Sequence, residues 1–186
     1  MPVPHPAPRV APAEAPYPAA VAERLARIMP PGVPPLTLFT TLARDERLFE
    51  RFMNAGLLDR GHLTLRQREI VIDRVTARAG CEYEWGVHVA LLAARAGLGP
   101  ADIAATVGGG ANDPVWSPDE QALVAAVDQL HARCDIDDAA WQALSAHFGP
   151  EAILEILMLA GFYRMVSYLA NALRLPPEAF AARFPA

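Results

Sequence analysis

The sequence contains no lysine, because all 16 of its basic residues are arginine. This absence excludes mechanisms that need a lysine amine, including Schiff-base aldolases, pyridoxal-phosphate enzymes and the Walker A phosphate loop. The formal net charge is -5 at pH 7, and the acidic and basic residues are interspersed. A nucleic-acid-binding protein would need a basic patch or stripe, so we expect no nucleic-acid partner.

Cysteines and long apolar runs are also scarce. Cys81 and Cys134 are the two cysteines, too few for a disulfide framework, and the first residues lack the charged and apolar regions of a secretory signal. No apolar run approaches the ~20 residues of a membrane span, since the longest, from Ala152 to Leu159, is interrupted by Glu155. We therefore expect a cytoplasmic protein without a membrane partner.

No segment shows the sustained period-two alternation of a strand, whereas a helical period dominates from residue 19 onward. Seven prolines among the first 18 residues predict a flexible or extended arm over residues 1–18. Residues 19–186 are predicted to form one all-α domain of about eight helices. They span about 19–29, 36–54, 64–79, 81–97, 100–107, 117–134, 137–148 and 151–173, before a short final helix at 177–183.

Three helix starts carry strong capping signals. Thr64 with Gln67 three residues later forms a capping box. Ser117, Pro118 and Glu120 supply an N-cap, a proline at the first helical position and a carboxylate at the third. Asp137 is a typical N-cap for the helix that follows it.

The run from Cys81 to His88 carries the most chemistry. On a helix, Cys81, Glu84 and His88 are spaced i, i+3 and i+7, so a thiol, a carboxylate and an imidazole share one face. Glu69 lies twelve positions before Cys81. Apolar residues surround the run, and titratable groups in apolar surroundings have perturbed pKa values.

Simpler structural roles are compatible with the same residues. Glu84 and His88 can form an ordinary i, i+4 surface pair, and Cys81 can be a small core residue. Glu69 near a helix start can complement the helix dipole. Cys81, Glu84 and His88 on one helix face would make a poor tetrahedron, so we expect no metal site.

Longer patterns resemble one known family. They are Arg68-Glu69, Cys81-x-x-Glu84-x-x-x-His88 and the run from Gly161 to Ala172. This set resembles the carboxymuconolactone decarboxylase family, which also contains peroxidases of the alkylhydroperoxidase D type, over roughly residues 36–175. The resemblance implies an all-α alkylhydroperoxidase D-like fold and a homo-oligomer, from dimer to hexamer. It also implies an active site near the cysteine helix, often close to a subunit interface.

The peroxidase branch of this family uses two cysteines three residues apart, assisted by a glutamate and a histidine. Glu69, Cys81 and His88 match the glutamate, the first cysteine and the histidine, but Glu84 stands in place of the second cysteine. A Cys-x-x-Cys disulfide therefore cannot form. A two-cysteine cycle would need Cys134, and nothing in the sequence brings the two sulfurs within disulfide distance.

The decarboxylase branch needs acid-base groups and no thiol pair. Loss of CO2 beside a carbonyl leaves an enolate that must be stabilised and protonated. We expect His88 to donate the proton, Glu84 to orient it, and Glu69 to hold substrate or shuttle the proton. Substrate contacts are predicted for Arg68 or Arg74, and for Tyr83, Trp85 and Arg164.

These residues favour a cofactor-free lyase or isomerase acting on a small carboxylated lactone or keto acid. Two alternatives stay open. A single-cysteine hydroperoxide reductase would depend on a Cys81 of low pKa, whereas a non-catalytic helical oligomer or binding protein would use these residues only for stability.

Overall fold

The computed structural model describes residues 7–185, and within that range the secondary structure consists of nine α-helices without a strand. The all-α prediction is confirmed. Residues 1–6 of the predicted arm, and Ala186, lie outside the described range. The helices are α1 (Ala19–Ile28), α2 (Thr37–Leu42), α3 (Glu46–Ala55), α4 (Leu65–Arg78), α5 (Glu82–Ala96), α6 (Pro100–Gly108), α7 (Pro118–Arg133), α8 (Asp138–Ser145) and α9 (Pro150–Leu173).

The three capping signals mark the observed helix starts. Thr64 accepts a hydrogen bond from the Gln67 amide at 3.2 Å, and its own amide donates to the Gln67 side chain at 3.0 Å. α7 begins at Pro118, with the Glu120 carboxylate accepting from the Ser117 amide at 3.0 Å. Asp137 accepts from the Ala140 amide at 2.9 Å.

Two predicted elements were wrong. The predicted helix at 36–54 is two helices, because the Asp45 side chain accepts from the Leu48 amide at 2.9 Å and starts α3 as a separate element. The predicted helix at 177–183 does not form. There the Ala182 amide donates to the Gly86 carbonyl at 3.0 Å, so the chain binds α5 instead of closing a helix of its own.

α4 is the central helix, and α5, α6, α7 and α9 pack around it. Residues 69–76 of α4 are all buried, and they include the charged residues Glu69, Asp73 and Arg74 as well as apolar ones. Among the apolar ones, Ile70, Val71 and Ile72 follow one another and all are fully buried. α9 contributes Ile156, Leu159 and Val166 to the largest apolar cluster of the protein.

α9 is the one helix of the described range that is long and apolar enough to cross a membrane, by length and composition. The sequence expectation rested on Glu155 interrupting its apolar run. A single such helix is weak evidence of a span, because a core helix meets the same criteria. α9 is such a core helix, with Ile156 and Leu159 fully buried.

The terminal segments pack against the helical body. In the N-terminal segment, the Arg9 amide donates to the Leu173 carbonyl and the Ala13 amide to the Thr40 carbonyl, both at 2.9 Å. In the C-terminal segment, the Phe184 amide donates to the Glu82 carboxylate at 2.9 Å. Residues 9–13 therefore lie along α2 and α9, and residues 178–184 lie along α5.

Candidate functional site

A tight connection between α4 and α5 builds the site. Gly80 adopts a left-handed conformation with φ +61°, which glycine reaches without the steric cost of a side chain. The Cys81 amide then donates to the Thr76 carbonyl at 2.8 Å. The chain reverses over a few residues, so Glu69 on α4 and His88 on α5 face each other although 19 residues separate them.

His88 lies between two carboxylates. Its Nδ1 is 2.7 Å from Glu69 Oε2, and its Nε2 is 3.5 Å from Glu84 Oε1. The three side chains are 6%, 1% and 8% exposed, in the order His88, Glu69, Glu84. The structure thus brings together three of the four predicted catalytic residues, in a buried carboxylate-imidazole-carboxylate arrangement.

The two carboxylates determine the protonation of His88. Burial disfavours the imidazolium and lowers the pKa of His88. The hydrogen bond that His88 donates to Glu69, and the negative charges of Glu69 and Glu84, outweigh that effect and raise the pKa to about 10. His88 is therefore a cation at neutral pH, with Nδ1 hydrogen-bonded to Glu69 and Nε2 only loosely held by Glu84.

Arg68 contacts the carboxylate oxygen of Glu69 that does not face His88. Its Nε donates to Glu69 Oε1 at 3.1 Å, and its Nη1 donates to the Leu58 carbonyl at 2.8 Å. The side chain is 13% exposed. Arg68 therefore neutralises Glu69 and ties α4 to the segment after α3, and its guanidinium is partly occupied by these contacts.

A third acidic residue adjoins the triad of Glu69, Glu84 and His88 and was not predicted. Asp73 lies one turn after Glu69 on α4 and is 1% exposed, and neither carboxylate oxygen has a hydrogen-bond partner among residues 7–185. Burial raises the pKa of Asp73 well above its usual value, the charge of His88 lowers it and that of Glu69 raises it further. The i, i+4 spacing from Glu69 was the sequence signal that could have identified it.

Tyr163 on α9 closes the inner side of the triad. Its ring meets the His88 ring edge to face, with 5.0 Å between centroids and an interplanar angle of 89°. Burial raises the pKa of Tyr163 well above its usual value, with Glu84 and Glu69 adding to the shift. The phenol is therefore neutral and can only donate or accept a hydrogen bond.

A cavity of about 380 Å³ opens beside the triad. Glu84, His88 and Tyr163 form its polar part, and Arg95 joins the lining from the last turn of α5. The apolar lining includes Leu36, Phe39, Phe52, Met53, Val87, Leu91, Leu92 and Phe162. A mostly apolar cavity with a few convergent polar groups is the usual form of a small-molecule site.

Arg95 was not singled out in the sequence. It is exposed and forms no ion pair within residues 7–185. Its position seven residues after His88 places it on the face of α5 that carries Glu84 and His88. That spacing was the available signal.

Cys81 lies next to the site, but its thiol is buried and has a raised pKa. It is fully buried at the N-cap position of α5. Burial raises the pKa of the thiol to about 11. The Glu84 amide and the Ser167 hydroxyl act to lower it, but the Glu84 carboxylate acts to raise it. Desolvation therefore outweighs the stabilisation of a thiolate that the N-terminal end of a helix provides.

Three predicted substrate contacts lie away from the cavity. The Tyr83 hydroxyl donates to Glu178 at 2.5 Å. Trp85 donates to the Thr106 hydroxyl at 3.0 Å and packs on Phe184. Arg164 faces a different surface, where it contacts His131 and the ring of Tyr168.

Arg74, considered as an alternative to Arg68, is also occupied elsewhere. Its Nε and Nη2 each donate to the Asp128 carboxylate at 2.7 Å, and the side chain is 2% exposed. This bidentate pair joins α4 to α7. Within the described range, no group of three or more His, Cys, Asp or Glu side chains is arranged to hold a metal ion.

The sequence matches the model of the carboxymuconolactone decarboxylase family over residues 46–129. The matched region runs from the first residue of α3 into α7. It contains Glu69, Cys81, Glu84 and His88, and also Asp73. A sequence comparison with curated proteins gives no significant match.

Solved structures share the fold. A peroxidase-related protein from Silicibacter sp. TM1040 is 18% identical with a TM-score of 0.83, over 100% of this chain and 99% of that one. The alkylhydroperoxidase AhpD core of a peroxidase-related protein from Ralstonia eutropha JMP134 is 19% identical with a TM-score of 0.79, over 95% of each chain. A debrominase is 16% identical with a TM-score of 0.72, over 92% of each chain.

Proposed function

We propose that this chain is a cofactor-free lyase or isomerase. It belongs to the carboxymuconolactone decarboxylase family within the alkylhydroperoxidase D-like superfamily. Its substrate would be a small carboxylated lactone or keto acid, bound in the cavity beside His88. One observation carries this proposal: the buried imidazole of His88, held between the carboxylates of Glu69 and Glu84, lies at the polar end of an otherwise apolar cavity.

The charge on His88 fits the reaction. When CO2 leaves a carbon next to a carbonyl, its bonding electrons form an enolate whose negative charge lies mainly on oxygen. A fixed cation in a site with little water stabilises such charge more than water does. The same cation then supplies the proton that the enolate carbon needs, which completes the replacement of CO2 by hydrogen.

The two ring nitrogens of His88 have different roles in this proposal. Nδ1 lies 2.7 Å from Glu69, so that carboxylate fixes the ring orientation. Nε2 is 3.5 Å from Glu84, beyond a normal hydrogen bond, and is the nitrogen available to donate to substrate. Glu84, which also lines the cavity, would receive a proton from solvent and return it to His88.

Arg95 is the candidate anchor for the substrate carboxylate. Its guanidinium lines the cavity three turns of α5 after Glu84, and no protein carboxylate occupies it within residues 7–185. Arginine binds carboxylates through two parallel N–H groups. We expect Arg95→Gln to raise KM for carboxylated substrates about tenfold, with little change in kcat. Arg47→Gln, an equal loss of charge on an exposed part of α3 outside the cavity lining, is the control.

The decisive experiment measures CO2 release and, by NMR in D2O, deuterium incorporation, with a panel of carboxylated lactones and keto acids. We expect His88→Gln and Glu84→Gln to lose at least a hundredfold in kcat/KM, the usual size of an acid-base contribution. Glu82→Gln, two residues from Glu84 and paired with Arg183, is the matched control. Full turnover in the His88→Gln variant would refute the proposal.

The state of Cys81 argues against the peroxidase alternative. A peroxidatic cysteine acts as an accessible thiolate, whereas Cys81 is fully buried with a pKa raised to about 11. We expect Cys81→Ser to retain turnover. Intact mass with thiol trapping, after a stoichiometric hydroperoxide, should show Cys81 no more reactive than the exposed Cys134. Rapid, selective oxidation of Cys81 would instead favour a single-cysteine hydroperoxide reductase.

A further inference from the structure

The cavity beside the triad becomes more exposed along α5. On the face of α5 that lines it, Glu84 and His88 are buried, Leu91 and Leu92 are half-buried, and Arg95 is exposed. Successive members of this row are three or four residues apart, so they lie one above another on the helix. His88 and Arg95 are separated by two turns, about 10 Å along the helix axis. The cavity therefore has a closed end at His88 and an open end at Arg95.

The leucines between these two ends serve the cavity and not the core. Leu91 and Leu92 line the cavity, but neither belongs to the apolar clusters that the described residues form. Ile28 and Leu58 also line it, and these side chains are 38% and 47% exposed. Single exposed apolar side chains are ordinary, whereas several around one cavity form an apolar surface that marks a binding site. A bound hydrocarbon group would cover this surface.

A row of aromatic rings forms another part of the lining. The centroids of Phe39 and Phe52 are 6.3 Å apart, those of Phe52 and Phe162 are 5.2 Å apart, and those of Phe162 and Tyr163 are 5.5 Å apart. Tyr163 contacts the ring of His88. The row thus leads from α2 to the closed end of the cavity, and its first three rings are purely hydrocarbon.

Polar side chains lie at the two ends of the cavity. Among the described lining residues, Glu84, His88 and Tyr163 are at the closed end and Arg95 is at the open end, and the others are apolar. Burying a polar group of a ligand without a hydrogen-bond partner costs free energy. A small lactone with polar groups on every side would place some of them against hydrocarbon. A ligand with polar groups at its two ends and hydrocarbon between them avoids that cost.

We infer that the substrate is an amphiphilic carboxylate. Its carboxylate binds Arg95, a hydrocarbon chain or ring fills the middle of the cavity, and its reacting carbonyl accepts a hydrogen bond from Nε2 of His88. The position of the carbonyl rests on the proposed function, whereas the position of the hydrocarbon rests on the cavity lining. The carboxylate on Arg95 is an anchor, separate from any group that leaves as CO2. The substrate class is therefore an oxo acid or lactone with an apolar spacer between its two functional groups.

Unreactive straight-chain carboxylates test the hydrocarbon site without turnover. In isothermal titration calorimetry, we expect the Kd to fall about fourfold for each added methylene from acetate through butyrate and hexanoate to octanoate. The heat-capacity change of binding should become more negative along the same series, because apolar surface is buried. Equal Kd values for acetate and octanoate, or no binding of octanoate, would overturn the inference.

A polar side chain in the middle of the cavity should oppose the hydrocarbon. We expect Leu91→Asn to weaken octanoate binding about tenfold and to leave acetate binding unchanged. Leu130→Asn, at a half-buried position on α7 outside the cavity lining, is the matched control and should keep the wild-type Kd. Circular dichroism checks that both variants fold. A folded Leu91→Asn variant with the wild-type Kd for octanoate would contradict the inferred position of the chain.

Comparison of octanoate with octanol tests the anchor at the open end. Arg95→Gln should weaken the binding of octanoate about tenfold, whereas octanol, which has the same chain without the charge, should bind the variant and the wild type equally. Arg47→Gln, on the exposed part of α3, should change neither Kd. An unchanged Kd for octanoate in Arg95→Gln would overturn the inferred orientation.

An octanoate analogue with a ketone at its penultimate carbon tests the closed end. We expect this analogue to bind about tenfold more tightly than octanoate, because a charged donor meets the ketone oxygen, and the gain to disappear in His88→Gln. The binding and turnover results separate the two proposals. Binding that depends on chain length, without turnover of any oxo acid, would refute the proposed function and support the ligand class. Turnover confined to short polar lactones would support the proposed function and overturn the ligand class.

Discussion

At the level of single residues, burial disfavours the charged form of both His88 and Cys81, but the outcome differs between them. The desolvation of His88 is outweighed because two carboxylates contact its ring. The desolvation of Cys81 is not outweighed, because the hydrogen bonds from the Glu84 amide and the Ser167 hydroxyl are too weak to offset it and the Glu84 carboxylate adds to it. The arrangement therefore holds a charged imidazole beside a neutral thiol, which suits proton transfer and not thiolate chemistry.

Asp73 is expected to make stability depend on pH. Its pKa is raised in the folded protein, so above the ordinary aspartate pKa the folded state retains a proton that the unfolded state has released. Stability then falls as pH rises from about 4 towards the raised pKa, with a slope of at most about 1.4 kcal/mol per pH unit. Asp73→Asn removes this dependence, so the variant should match wild type near pH 4 and be more stable at pH 7.

Urea unfolding at a series of pH values measures this effect. Asp128→Asn is unsuitable as a control, because it would leave the buried Arg74 without its partner. The exposed Asp138 on α8 is suitable, and Asp138→Asn should show the wild-type pH profile. An Asp73→Asn variant that is less stable than wild type at pH 7 would contradict the argument.

At the level of helices, the sequence was most informative where a local signal determines the structure. Thr64, Ser117 and Asp137 marked three helix starts because a cap satisfies orphan amides within its own turn. The helical spacing of Glu84 and His88 likewise predicted that they share one face, whereas the prediction of Glu69 beside them came from the family resemblance.

Long-range contacts account for what the sequence did not predict. The helix predicted at 177–183 does not form, because this segment makes hydrogen bonds with α5 instead. The hydrogen-bond partners of Tyr83 and Trp85 lie 95 and 21 residues away in the chain. No local pattern specifies such contacts. The helical spacing of Arg95 and Asp73 was a local signal. The role of Arg95 depends on the cavity, however, and that of Asp73 on its burial, and only the folded chain defines these.

The contact between α5 and the C-terminal segment predicts the effect of Gly86→Ala. In an open helix, this change should stabilise by about 1 kcal/mol. Here the added Cβ would overlap the backbone carbonyl oxygen of Ala182, which cannot move without displacing the segment. We expect Gly86→Ala to lower the unfolding midpoint and to speed proteolysis within residues 178–185.

Gly108→Ala is the control for this prediction, because a Cβ at Gly108 meets no atom within 4 Å. Its proteolysis should match wild type. The tryptophan emission of the protein, to which Trp85 contributes from its position against Phe184 of the same segment, gives a second measurement. An unshifted emission maximum and unchanged proteolysis in Gly86→Ala would show that the segment tolerates the methyl group.

At the scale of the whole molecule, one side chain connects the C-terminal segment to the cavity. Glu178 accepts from the Thr37 amide at 2.6 Å and from the Tyr83 hydroxyl at 2.5 Å. Tyr83 in turn accepts from the Leu38 amide at 3.0 Å. The first turn of α2, which leads to the cavity-lining Phe39, is thereby held to α5 by a residue far away in sequence.

This network predicts a coupled loss of stability. Glu178→Ala removes a charged acceptor from two donors and should cost about 2 kcal/mol in urea unfolding. Tyr83→Phe removes one of those donors and the acceptor of the Leu38 amide, and should cost about 1 kcal/mol. Because the two residues share a hydrogen bond, the double variant should lose less than the sum of the single losses. Additive losses would mean that Glu178 and Tyr83 stabilise α2 independently, and that the C-terminal segment and the cavity wall are held by separate contacts.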